Sequence, residues 1–578
     1  MTSTHSSAGP ARDIRVGDPP GARTTAWRWG LRPAVWAPAL LIAVAGFQRR
    51  WMSDDGHIYV RTVRQVLAGN GPVFNPGERA ESSTGTLWQW LLVLGGATGA
   101  DVASVAVYGG LLLTVAGFVL AGIGALRARG AGGLDGPGGP GDGARFLVPC
   151  GAVVLLALPP VWDFATSGLE TGLATCWIAA AWLALVARPH APATCALIGL
   201  GPLVRPDLGL VSVVFLAAQW VTVRPSWRGA LAGAGVAGAL PAAYEIFRMG
   251  YYGHLVPLPG VTKEASRSLW GRGATYLWDF AGPYGLWLPL AAVGAGAVVA
   301  GRARLRAPVA APCVAGVLCW VYVVRVGGDF MHARMFLPGL LLMLLPVFLV
   351  PLTRAWGAVA VVVCGWAVVC AGALRVPYGG QVGPDGVADE RGVYVRQNAD
   401  PHPVHHDFSH SPGNSRYRHL VQAAVRSGRP TLLVGPVPVA ATAPSVTGVH
   451  NTLGLNGTVV PLDGAALDAI GLSYPLAAHS GATRGRVGHD KHLPREWVVA
   501  ERGTARGAAA QGLDPARVEA ARRALRCGPL AELRAATRAP LTAGRFWHNL
   551  TGAAARTAFR FPTDPVRAER ELCGRPTP

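Results

Sequence analysis

The sequence predicts a polytopic α-helical membrane protein of about eleven spans, closed by a C-terminal extracytoplasmic domain of mixed α/β structure. Three observations lead there. Of the 578 residues, 51% are apolar and 15% charged, too greasy for an ordinary soluble domain. The apolar residues gather in runs near spanning length, with arginines in the short gaps between them. Beyond residue 375 the composition turns polar and rich in turn-forming residues, as a folded domain outside the bilayer requires. A net charge of +20 spread in this way is a topology signal and not a nucleic-acid footprint.

Residues 1–30 are polar, carry Arg12, Arg15, Arg23 and Arg28 and lack periodicity, so they are expected to be a disordered cytoplasmic tail without a cleavable leader. The membrane domain is assigned to 31–375. Its first run, about Pro33 to Phe47, is short, and Trp27, Trp29 and Trp36 extend it through the interface. Further spans are expected near 103–126, 146–160, 167–187, 192–204, 207–222, 229–248, 282–300, 308–325, 334–352 and 355–374. Arg205-Pro206-Asp207 breaks two under-length runs, a pattern tolerated at depth only where protein or a wet cavity surrounds it. Gly130 to Gly143 reads as a flexible linker.

Arg127, Arg129, Arg145, Arg188, Arg224, Arg228, Arg302, Arg304, Arg306 and Arg354 all fall in loops on the side of the basic tail, which the positive-inside rule makes cytoplasmic. Loop 49–101 and the domain 376–578 then share the outer face of the cytoplasmic membrane. Seven cysteines lie in or beside apolar runs, where a thiol acts as a packing residue. Cys527 and Cys573 lie in the outer domain and are expected to form a disulfide. His402, His405, His406 and His410 lack a zinc pattern. Aromatics of the outer loop 251–280 suit an interfacial belt or sugar stacking. Asn549-Leu550-Thr551 matches the short glycosylation sequon.

Directly beyond the first run stands Ser53-Asp54-Asp55-Gly56-His57-Ile58-Tyr59-Val60-Arg61. Ile58, Val63, Val66 and Leu67 follow at roughly helical spacing, so either acid can cap a helix lying on the bilayer. The segment runs into Gly69-Asn70-Gly71-Pro72-Val73-Phe74-Asn75-Pro76-Gly77-Glu78-Arg79-Ala80-Glu81 and then Leu87-Trp88-Gln89-Trp90. This long pattern resembles the first outer loop of membrane glycosyltransferases of the C-type (GT-C) fold, in which an Asp after the first helix faces the donor sugar. More narrowly, it is similar to the terminal β-(1→2)-arabinofuranosyltransferase family of the mycobacterial and corynebacterial cell wall. Ser167-Gly168-Leu169-Glu170-Thr171, Leu203-Val204-Arg205-Pro206-Asp207, Gly327-Gly328-Asp329-Phe330-Met331-His332-Ala333-Arg334, Gly448-Val449-His450 and Gly488-His489-Asp490-Lys491-His492 resemble the family too.

The resemblance implies transfer of arabinofuranose from decaprenyl-phosphoryl-arabinofuranose to a cell-wall arabinan, with a β-linked product and net retention. A polyprenyl phosphate leaves as a stable anion, so such a reaction needs cationic groups and a carboxylate near the anomeric carbon, not a general acid. Asp54 and Asp55 are the catalytic candidates, with Asp55 central. Arg205, Arg325, His332 and Arg334 are the phosphate-binding candidates at outer membrane boundaries, where charge is costly without use. His57, Glu81, Asp329, His450 and His492 are assigned to substrate. No cofactor is required; paired acids suit magnesium or calcium as an optional divalent metal. The partners are the lipid-linked donor, the glycan acceptor and the bilayer. The rival readings are another polyprenyl-phosphate sugar transferase such as a mannosyltransferase, a transporter or flippase, and a non-catalytic glycan-binding scaffold. Transporters commonly carry inverted repeats, and none is visible here; a scaffold would tolerate loss of both acids.

Overall fold

The computed structural model describes residues 33–130, 146–264, 267–300, 306–410, 412–435, 437–442, 445–483 and 485–574. The N-terminal tail, the Gly-rich linker beyond Gly130, Arg145, Arg302 and Arg304 lie outside the described residues.

The chain opens with α1 (Pro33–Gln48) and α2 (Asp54–Leu67). Four helices then meet the length and apolarity of a span in full: α3 (Val102–Gly130), α4 (Trp227–Tyr252), α6 (Ala307–Val326) and α7 (Arg354–Gly372). A fifth, Pro206–Val223, starts just after Arg205. Helix α5 (Trp270–Tyr284) continues into Trp287–Val299 through an 85° bend. Pro33–Gln48, Thr171–Ala187, Pro192–Val204 and Arg334–Val347 are apolar but shorter.

Helix length alone therefore gives five spans, or six with the bent pair, among the described residues, against the eleven expected. Proline accounts for one difference. Where a span over 146–160 was expected, the chain forms Cys150–Leu156 and then Pro159–Phe164, because Pro159 and Pro160 have no N–H to continue a helix and fit a helix start. The expected break at Arg205 is present. Its backbone is extended, between the short turn Gly201–Val204 and a 3₁₀ turn Pro206–Leu208.

Small residues set the helix contacts. A Cβ on Gly172 would lie 2.1 Å from the Gly110 carbonyl oxygen, and one on Gly273 would lie 1.8 Å from that of Val324, so backbones approach as they do in membrane bundles. At one end of the bundle Ala128, Leu185, Val221 and Arg306 line a common hollow. The arginine-bearing loops after residues 126, 187 and 223 thus gather at that end. The opposite end carries α2 and the polar domain.

That domain holds a four-stranded sheet in the order β4 (Val439–Ala440), β3 (Thr431–Leu433), β5 (Val446–Val449), β6 (Ala465–Leu467), the first pair antiparallel and the others parallel. At the other end of the bundle β1 (Leu147–Val148) and β2 (Val350–Pro351) form an antiparallel pair. Helices around the sheet bury Leu432, Leu467, Trp497 and Leu530 in a second core. Cys527 and Cys573 are disulfide-bonded. Asn549 of the sequon is buried, its amide donating to the Gly250 and Ala536 carbonyls.

One buried cation fastens the domain to α2. Arg61 donates to the carbonyl oxygens of Phe74, Gly457, Val460, Pro461 and Gly464 at 2.7–3.0 Å. Loop 49–101 adds an ionic seam: Glu78 pairs with Arg502 and Arg538, which both also pair with Glu501.

Candidate active site

The first turn of α2 is fixed by its own cap. Ser53 Oγ accepts from the Gly56 N–H at 2.9 Å and donates to the Ser167 carbonyl at 2.9 Å. A Cβ on Gly56 would stand 2.5 Å from Met52 Sδ and 2.9 Å from that same carbonyl, so the sequence Asp-Asp-Gly lets α2 press on the segment 167–170. The cap sends the two acids apart. Asp54 turns to the polar domain, where its Oδ1 accepts from the Leu455 N–H at 2.8 Å and its N–H donates to Glu390 at 3.0 Å. Burial, opposed by the Leu455 N–H and reinforced by the charge of Asp55, raises the Asp54 carboxyl to about 7.

Asp55 faces a cavity of about 200 Å³ between the bundle and the polar domain. Arg334 donates to its Oδ2 at 3.2 Å and reaches Asp329 at 2.6 Å. Lys263 meets Asp329 at 3.2 Å. Burial opposes ionisation of Asp329, but Arg334 and Lys263 outweigh it and bring this carboxyl down to about 2. Across the cavity Arg205 holds Asp207 through two bonds of 2.7 and 2.6 Å, the paired geometry that makes arginine tolerable at depth. Glu170 accepts from Tyr59 at 2.9 Å, and the Tyr59 hydroxyl in turn accepts from the Gly85 N–H at 2.7 Å. Ser82, Ser83 and Thr84 supply hydroxyls, while Leu472 and Gly488 complete the wall from the polar domain.

The turn 327–334 places two of these charges. Gly327 and Gly328 both take left-handed φ, +91° and +77°, and a Cβ on Gly328 would strike the Tyr276 ring at 2.4 Å. Ala333 is left-handed as well, at +64°, a costly conformation for a residue with a Cβ. Tyr276 locks the turn by donating to the Met331 carbonyl at 2.8 Å.

The residues selected from sequence separate in space. Asp55, Arg205, Asp329 and Arg334 share the cavity; Asp54 is committed to the polar domain. Arg325 is absent from the cavity wall. His332 bonds Asp279 at 2.7 Å and lines a neighbouring hollow with Glu390. His57 is buried beside His406, ring centroids 5.0 Å apart. Glu81 is committed to Arg248 at 2.6 Å and Tyr244 at 2.7 Å, so it joins loop 49–101 to α4 and does not reach the cavity. His450 packs on Phe408 and Tyr417 and bonds Asn414; His492 is exposed. Among the described residues no group of three or more His, Cys, Asp or Glu side chains is placed to hold a metal. The diverging Asp54 and Asp55 do not fit a shared divalent cation, since one accepts a backbone N–H and the other an arginine.

Sequence reasoning passed over Tyr59, Lys263 and Glu390 as site residues, and it quoted Glu170 and Asp207 without giving them roles. An acid held within apolar sequence, as Glu170 is, is the signal that could have promoted it. Glu390 sits in polar sequence and gave none; burial, followed by the charges of Asp55 and Asp54, pushes its carboxyl well above the usual range.

Comparison with known proteins bears on most of the chain. A family model described as "AftB family C-terminal domain" matches residues 438–569. A protein of Corynebacterium glutamicum named terminal beta-(1->2)-arabinofuranosyltransferase is 36% identical, the match covering 88% of this chain and 82% of that protein. A protein of Mycobacterium tuberculosis with the same name is 33% identical over 94% of this chain and 97% of its own length. No solved structure matches the chain.

Proposed function

The chain belongs to the terminal beta-(1->2)-arabinofuranosyltransferase family, and on that premise we propose that it moves arabinofuranose from decaprenyl-phosphoryl-arabinofuranose to the end of a cell-wall arabinan. One observation carries the reading at the level of residues: Asp55, Glu170, Arg205–Asp207 and Asp329–Arg334, far apart in sequence, line one cavity. Gathering of the arginine-bearing loops at the far end of the bundle supports placing the cavity at the outer face of the membrane, with the N-terminus cytoplasmic and the C-terminal domain outside.

The mechanism follows from the charges. The cations of the cavity wall supply the field for the donor phosphate, which takes the electron pair of the breaking anomeric C–O bond and leaves as an anion without a general acid. Retention asks for two displacements or for attack on the face the phosphate leaves. Asp55 is held through Oδ2 by Arg334, which presents its other oxygen to the anomeric carbon. In the double displacement this oxygen forms the glycosyl bond as the phosphate departs. The acceptor hydroxyl then attacks the same carbon, the Asp55 bond breaks, and the acceptor proton passes to the phosphate. The chain's own cations serve each step, so none is routed through a metal.

Asp55→Asn keeps the volume and the contact with Arg334 but removes the nucleophile. Purified membranes supplied with radiolabelled donor and a synthetic arabinan should show transfer reduced by at least about 10²-fold, the lower end of the effect of losing a single proton-transferring group, while the variant still melts cooperatively as a folded protein. Wild-type turnover by this variant would overturn the assignment. Linkage analysis of the wild-type product should return a β-(1→2) terminus.

A further inference from the structure

Of the chain's 52 basic side chains, only Lys263 and Lys491 are lysines. Where charge alone is wanted, this protein uses arginine, so each lysine invites a reason. Lys491 has one: its buried ammonium donates to the Ala478 and Val261 carbonyls at 2.5 and 3.3 Å, a pocket for a compact group and not a planar fork. Lys263 lies on the cavity wall.

Four cations line that wall, and three are heavily committed. Arg205 is bidentate to Asp207. Arg272 places Nη1 3.0 Å from both oxygens of Asp490. Arg334 is divided between Asp55 and Asp329. Lys263 has, among the described residues, one ionic contact, to an Asp329 already served by Arg334. An ammonium has three donors, and this one is 30% exposed where Arg205 and Arg334 are 5% and 10% exposed. It lies in the turn closing the short helix Leu258–Thr262, its Nζ 5.6 Å from the centre of the Phe330 ring, beside Gly488.

We propose that Lys263 is the principal ligand of the donor's phosphate, its ammonium moving from Asp329 onto the phosphate oxygens, while Arg334 stays on Asp55 and Asp329 to keep the carboxylate aimed. This rests on the donor reading above. On the wall Asp55, Glu170, Asp207 and Asp329 match Arg205, Lys263, Arg272 and Arg334 one for one, and Asp490 also takes up Arg272, so the wall holds no cation in excess of its acids. An incoming anion needs a cation that can leave its partner without stranding a buried acid, and Lys263 can, because Asp329 keeps Arg334.

The scarcity of lysine makes the test selective. The full-length enzyme in nanodiscs is treated with pyridoxal 5′-phosphate, which condenses with a lysine amine as water leaves; borohydride then reduces the imine, and peptides are read by mass spectrometry. The label is expected on Lys263 and not on Lys491. Decaprenyl phosphate should block it at least roughly tenfold and decaprenol should not. Lys263→Met should raise the donor KM by roughly 10- to 100-fold, the loss of a charge-assisted bond, with the acceptor KM unchanged. Labelling of Lys263 indifferent to decaprenyl phosphate, or equal with pyridoxal lacking the phosphate, would overturn the proposal even if the methionine variant failed to fold. If Asp55→Asn abolishes transfer while the donor KM of Lys263→Met is normal, the phosphate assignment fails and the transferase reading stands. If neither substitution matters, both fail.

Discussion

Adjacent acids with one side chain in the cavity and the other in an interface give a test that separates them. Asp54 has a carboxyl raised to about 7 by burial, above its unfolded value, so the folded chain binds more protons than the unfolded chain between about pH 4 and 7. Its contribution is most favourable below that window, falls as pH rises through it, and is constant above it. Asp54→Asn keeps an oxygen for the Leu455 N–H and carries no charge. Thermal melts of the solubilised protein should show the variant gaining on wild type from pH 4.5 to 7 and holding that gain at pH 8, and the variant should retain transfer. A melting difference flat with pH would contradict the burial of an ionising Asp54. Sequence alone could not make this distinction, because both acids occupy one helical turn. The Ser53 cap and Gly56 decide which points where, through contacts with residues 167 and 168.

At the scale of elements, the turn 327–334 was legible because its glycines are conspicuous and its charges sit beside an apolar run. Lys263 and Tyr59 were less so, since their importance comes from partners across the fold and not from spacing. The same contrast explains the spans: hydropathy located the apolar helices but not how Pro159 and Pro160 shorten them. Gly328 is the sharp test of the turn. Its φ is left-handed, and a Cβ would fall 2.4–2.6 Å from three atoms of buried Tyr276. Gly328→Ala should cost about 1–3 kcal/mol from backbone strain and overpacking, and should reduce transfer by displacing Asp329 and Arg334. Gly271→Ala, at a helical position with open space around it, should leave both unchanged. Differential scanning fluorimetry and the transfer assay, run on the pair, would refute the strained-turn account if the two variants behaved alike.

The whole molecule works only if the C-terminal domain stays seated, since Leu472 and Gly488 close a cavity whose carboxylate stands on α2. Arg61 is the main fastening. It is 1% exposed, and burial, with Arg64 nearby, lowers its pKa to about 9. It survives there because its N–H groups satisfy carbonyls of Phe74 on one side and of residues 457–464 on the other. Those partners lie up to 403 residues away in the chain, so the sequence displays Arg61 as one more charge on an amphipathic helix. Arg61→Met fills a similar volume but leaves several buried carbonyls unpaired, each costing about 1–3 kcal/mol where water cannot enter. The domain should then lift while the bundle, held by its own apolar contacts, persists. Limited proteolysis with the broad-specificity proteinase K should cut the variant near residues 457–464 at protease concentrations that spare wild type, with transfer falling in proportion to the fraction cut. Intact protein with lost transfer would instead place Arg61 in the reaction, and intact protein with full transfer would show that the ionic seam of Glu78 holds the domain alone.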